Sequence, residues 1–151
     1  MERIGSLEAF WPYYLSEHRS PLDRALHFVG TSWFFVVLAG CFVSSPWWFP
    51  PAFLLGAALT WFGAARVEPR RPAFLPMLGM LALGVAAQPW FLAGVAGAYA
   101  FAWTGHFLVE KNRPATFRYP VWSFLCDFRM WGAMATGRLW SGDPVAAVTR
   151  T

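Results

Sequence analysis

EHRSPLDRALHFVGTSWFF, residues 17–35, is where charge leaves the chain: Glu17, Arg19, Asp23 and Arg24 crowd its first half, and no Asp, Glu, Lys or Arg follows until Arg66. A second uncharged run separates Arg71 from Glu110. The two runs are 41 and 38 residues long, each about twice the roughly 20 residues that cross a bilayer as a helix. Each breaks near its middle, at Ser44-Ser45-Pro46 and at Gln88-Pro89, where proline and small polar residues favour a turn. The pattern predicts an all-α polytopic membrane protein with four transmembrane helices arranged as two hairpins. Composition agrees: 57% hydrophobic and 13% charged, with ten Trp and fifteen Phe, lies outside the range of an ordinary soluble domain of this length. No internal repeat, low-complexity tract or linker divides residues 1–151, so the reading is a single integral membrane domain.

The first helix starts at a clear signal. Ser20 suits the N-cap, Pro21 the first helical position, and Asp23 the acid of a capping box. It runs to about Ser44. The second is expected near Pro51 to Ala65, the third near Phe74 to Ala87 and the fourth near Pro89 to Val109, with glycines such as Gly56, Gly84 and Gly97 allowing close helix contacts. Trp47, Trp48 and Phe49 at one turn, and Trp90 and Phe91 at the other, resemble an interfacial aromatic belt. Two flanking segments read as interfacial: SLEAFWPYYLSEH, in which Pro12 limits any helix, and YPVWSFLCDFRMWGAMATG (119–137), with Val121, Trp122, Leu125, Phe128 and Trp131 at helical spacing.

All twelve basic residues fall in the N-terminal segment, the loop at Arg66, Arg70 and Arg71, or the tail from Lys111. The positive-inside rule therefore places both termini in the cytoplasm. The net charge of +4 follows from topology and anionic headgroups, and no basic recognition element points to nucleic acid. A cleavable signal peptide is not expected, and compact loops favour a bacterial inner membrane. Cys41 and Cys126 fall on opposite sides of this topology and are not expected to pair. Ser123, Ser141 and Cys126 lack the settings of hydrolytic nucleophiles.

The histidines carry the chemistry. His18 lies just outside the first helix, His27 about two turns inside it and His106 near the end of the fourth, so all three fall at one membrane face. Two of them sit inside uncharged helices, where ionisable groups are costly and mark function. Imidazoles are common ligands of iron, zinc and copper, and three of them leave positions open for substrate or O₂. Glu110 shares a helix face with His106 at i+4, as Asp23 does with His27. Two other classes stay open. A haem electron carrier would use His27 and His106 as axial ligands, and a lipid-binding or scaffold protein would need no metal.

FWPYYLSEHRSPLDRALHFVGT and the later FAWTGHFLVEKNRPATFRYPVWSF resemble the family of small membrane proteins typified by the fungal 2-hydroxy-fatty-acid dioxygenase. The resemblance rests on His18, the segment from Pro21 to His27 followed by Gly30, and Gly105-His106 with Glu110 and Arg113-Pro114. It departs at Ala102, where a Gln is usual, and at Asp23, where an Asn precedes the Arg. It implies Fe(II) held by His18, His27 and His106, with O₂ converting a 2-hydroxy fatty acid to one a carbon shorter. Within it Glu110 is expected as a fourth ligand or as the acceptor that orients His106, and Arg24, Lys111 or Arg113 as partners of the substrate carboxylate.

Overall fold

The computed structural model describes residues 3–149, and every regular element among them is helical. Helix α1 (Leu7–Ser16) precedes α2 (Pro21–Ser44), α3 (Phe49–Phe62), α4 (Phe74–Ala87), α5 (Phe91–Thr104), α6 (Pro120–Ala135) and α7 (Pro144–Thr149). Two helices run on into π-helical turns, α3 into Gly63–Val67 and α5 into Gly105–Glu110. The span Pro21–Ser44 and the continuous span Phe91–Glu110 are each long and apolar enough to cross a membrane, and only 28% and 17% of their most apolar stretches are buried. Core helices of a soluble protein would be mostly covered. Helices α3 and α4 have 14 residues each, about 21 Å at 1.5 Å per residue, short of the roughly 30 Å hydrocarbon core.

The close helix pairs are not the sequential hairpins. Helix α2 packs along α5, and α3 along α4, whereas α2 and α3 touch little. Gly30 makes the first pairing possible: a Cβ there would stand 3.0 Å from the Ala98 carbonyl oxygen and from Phe101 Cβ. The two pairs are joined at the uncharged end by phenyl rings in edge-on and tilted contact, with Phe49 5.0 Å from Phe42 and 5.8 Å from Phe91. Ser45 Oγ also donates to the Ala87 carbonyl, tying the two turns together. Trp47, Trp48 and Trp90 are exposed at these turns.

At the charged end, α1, α6 and α7 close over the bundle. Helix α1 continues through Pro12, against the expectation from sequence. The carbonyl that proline leaves without its helical partner belongs to Glu8, which is exposed, and burial of Phe10, Trp11, Tyr14 and Leu15 holds the helix. Helix α6 begins at Pro120, and its first turn is capped from another part of the chain: Glu68 Oε2 accepts from Val121 N at 2.8 Å and Trp122 N at 3.1 Å. An anion at a helix N-terminus satisfies otherwise orphaned donors and complements the helix dipole. Burial pushes the Glu68 carboxyl up to about 7, opposed by those two backbone donors and by Arg3. Cys41 and Cys126 are both buried free thiols.

Candidate metal centre

His18, His27 and His106 arrive from the α1–α2 connection, from α2 and from the π-helical end of α5, and all three are buried. Their ring centroids lie 4.5, 4.7 and 5.2 Å apart, and one nitrogen of each falls within 4.8 Å of the others. The π turn matters here, because its wider coil re-aims side chains relative to an α-helix, as at many functional sites.

Hydrogen bonding fixes which nitrogens meet. His18 Nδ1 lies 2.6 Å from the Tyr14 carbonyl oxygen, which can only accept, so Nδ1 carries the proton. His27 Nδ1 lies 2.7 Å from Asp127 Oδ1, and His106 Nδ1 2.8 Å from Asn112 Oδ1. The Asn112 amide is oriented by its own donor, since Nδ2 reaches the Glu17 carbonyl at 2.8 Å; Oδ1 therefore faces the imidazole as an acceptor. In each ring Nε2 is left with the lone pair. His18 Nε2 and His27 Nε2 are buried with no hydrogen-bond partner among the described residues. Three imidazoles each tethered to oxygen through Nδ1, two of them with a buried inner nitrogen left unsatisfied, form the arrangement metal-binding histidines adopt. Burial, then the two neighbouring histidines, holds His18 well below the usual histidine range, which keeps it neutral as ligation requires.

Asp127 is the organising acid that sequence reasoning missed. It stands between the apolar positions of the 119–137 segment with no motif around it, yet its Oδ1 accepts from both His27 and the Tyr14 hydroxyl. Burial, and then Asp127 itself, keeps the Tyr14 phenol well above its ordinary value and so a donor. Tyr14 also stacks on His18 at 4.1 Å. Asn112 gave no signal because its partners, Glu17 and His106, meet only in the fold.

The other expected residues are placed differently. Glu110 does not orient His106, a task Asn112 performs; its Oε1 accepts from the backbone N of Ser20. In a capping box that bond belongs to the third helical residue, here Asp23. Glu110 has taken it over from across the fold, and both Asp23 carboxylate oxygens are buried with no hydrogen-bond partner among the described residues. Arg24 is fully buried, and its guanidinium donates only to carbonyls, those of His18 (2.9 Å), Arg19 (2.6 Å), Leu139 (2.6 Å) and Gly142 (3.2 Å). It is thus committed to positioning the His18 loop. Lys111 and Arg113 are exposed beside the site, Lys111 in the left-handed region at φ 56° where the π turn ends.

Around the histidines lies a small cavity of about 70 Å³. Phe34, Met80, Phe124 and Phe128 separate it from a chamber of about 500 Å³ between the two helix pairs. Apart from Thr60, that chamber is lined only by apolar and aromatic residues. The small cavity accommodates an ion and a few light atoms, the large one a chain.

Compared with known proteins, the chain matches a family model described as 2-hydroxy-palmitic acid dioxygenase Mpo1-like over residues 4–82 and 76–139. No curated protein and no solved structure matches it.

Proposed function

The chain belongs to the Mpo1-like family, and from that premise we propose that it is an integral membrane dioxygenase that uses Fe(II) and O₂ to shorten 2-hydroxy fatty acids by one carbon. The observation that carries this reading is the convergence of three buried, outwardly tethered imidazoles on one point. His18, His27 and His106 would hold the metal. A divalent iron so bound supplies O₂ activation and binds a substrate's oxygens. Overall, a 2-hydroxy acid and O₂ give the shortened acid, carbon dioxide and water, which balances without a second reductant.

The protein's own groups divide the remaining work. Asp127 and Asn112 hold two imidazoles in one tautomer, and Tyr14 caps the third with its ring and carbonyl. Lys111 and Arg113, at the charged end, attract the substrate carboxylate. The tail extends past Phe34, Phe124 and Phe128 into the apolar chamber, whose size falls in the roughly 300–1,000 Å³ of ligand pockets. An amphiphile suits a site with a polar centre and an apolar annex. In this reading all four long helices sit in the bilayer, the short α3 and α4 by local thinning, with both termini in the cytoplasm of a bacterial cell.

A haem reading is disfavoured by geometry. His18 stands 4.5 and 4.7 Å from His27 and His106, where a flat macrocycle would have to lie between the axial rings.

The test is metal content and O₂ uptake of anaerobically purified protein. One iron per chain, with O₂ consumed only when a 2-hydroxy rather than an unsubstituted fatty acid is supplied, is the expected result. The triple variant H18A/H27A/H106A should hold no iron. Stoichiometric metal in that variant, or none in the parent under iron-replete conditions, would leave a lipid-binding role as the better reading.

A further inference from the structure

Asp23 is fully buried, and neither carboxylate oxygen has a hydrogen-bond donor among the described residues. Burying an ionised carboxylate without a hydrogen-bond partner costs several kcal/mol, and a cation bound against it would offset that cost. The neighbouring Arg24 makes no hydrogen bond to it; the four that its guanidinium makes go to carbonyls. What faces Asp23 is His27: Oδ1 lies 3.7 Å from His27 Nε2. That separation is too long for a hydrogen bond. It approaches the roughly 3.0–3.5 Å between two ligand atoms that each sit about 2.1 Å from one ion at adjacent positions.

Two features of the fold keep the carboxylate there. The N-terminal bond that Asp23 would make as the third residue of α2 is made by Glu110, which frees Asp23 to turn inward. Across the helix interface stands Gly105, where any Cβ would overlap Asp23 Oδ1; the residue before His106 must lack a side chain for the acid to fit.

We propose that Asp23 is the fourth protein ligand of this centre, making it a three-histidine, one-carboxylate site for a divalent cation. The inference rests on the metal-binding reading of the histidines and deepens it. A carboxylate lowers the charge of the bound divalent ion from +2 to +1, so a second anion, the substrate carboxylate, meets a centre that still attracts it. Hard oxygen beside imidazole also favours iron or manganese over soft-ligand competitors.

The experiment is anaerobic titration of metal-free protein in detergent micelles with Fe(II), and separately with Co(II), whose visible spectrum reports the ligand set. D23N, nearly isosteric, should weaken Fe(II) binding on the order of 100-fold or more, beyond the 10 to 100-fold typical of residues outside the ligand shell, and should change the Co(II) bands. D23E should restore part of the affinity. G105A should also weaken binding in the parent, by displacing the acid, yet add nothing in a D23A background, where the methyl finds room. Unchanged affinity and Co(II) spectrum in D23N, with H27A losing the metal, would overturn the role of Asp23 alone. No Fe(II) binding by the parent would overturn the histidine site with it.

Discussion

At the charged end eleven apolar side chains, Phe10, Trp11, Tyr14, Leu15, Ala115, Tyr119, Trp122, Cys126, Met130, Met134 and Leu139, are buried in one continuous core. Between the long helices the corresponding core has four members, Phe34, Cys41, Phe49 and Phe91, while Val36, Val43, Leu54 and Leu75 stand more than 60% exposed. A water-facing cap gains by hiding apolar surface. On the proposed membrane placement the long helices do not, since hydrocarbon on the outside is as good a neighbour as hydrocarbon within, and they would associate through close backbone approach and a few hydrogen bonds. The contrast explains how a 500 Å³ chamber survives in the bundle and why the histidine cluster lies at the seam: the cap supplies rigidity, the bundle supplies space.

Breaking the cap should therefore cost most. W122A is expected to destabilise by about 3–5 kcal/mol, the usual loss for a large aromatic core residue, and to release bound metal while leaving membrane insertion intact. Thermal unfolding in micelles with parallel iron analysis checks this; retained metal after loss of the cap transition would uncouple the two regions.

Filling the chamber sharpens the comparison from the other side. A52F places a ring against its wall and should lower kcat/KM for the longest 2-hydroxy acids about 10 to 100-fold, the scale on which pockets discriminate by size. Short-chain turnover and stability should change little. A uniform loss at every chain length would place the tail elsewhere.

The capping acid between the regions gives a smaller, pH-dependent effect. Because the folded Glu68 carboxyl sits near 7 rather than its ordinary 4.5, the folded state holds more protons than the unfolded one between those values. Stability should then fall as pH rises through that window and level off above it. E68Q should abolish the decline, and E68A should lose about 1–2 kcal/mol at every pH with its helix cap. Urea midpoints from pH 4.5 to 8 decide it. The smallest effect is expected at the lipid-facing surface, where V43A should stay within about 0.5 kcal/mol.

Much of this division was legible beforehand. The loss of charge after Arg24 and after Arg71 marked the long helices, because every charged group is expensive there, and the three histidines stood out by the same rule. Helix partners were not legible: the turns at Ser44–Pro46 and Gln88–Pro89 imply hairpins, but which faces approach depends on where Gly30 meets Ala98. Nor were Asp127, Asn112 and Glu68, each of which has a partner 53 to 113 residues away in the chain. Polar residues in a mixed-composition cap look like solvent-facing ones until the fold buries them. Glu110 takes the capping bond expected of Asp23 for a similar reason, since local spacing names a capping acid but cannot see a competitor arriving from another helix.

Arg24 ties this geometry to the order in which the chain is made. Its guanidinium is satisfied partly by the Leu139 and Gly142 carbonyls, 115 and 118 residues downstream. At about 5–20 residues per second of synthesis, α2 exists for roughly 6–24 seconds before those acceptors have been made. During that interval the guanidinium has only the carbonyls of the His18 loop, and that loop has no lid to close against. Completion of the histidine cluster is therefore a late event of biogenesis. A ribosome stalled short of Leu139 should hold a chain already inserted in the membrane yet unable to retain iron, and truncation just before Leu139, which removes both distal acceptors, should do the same.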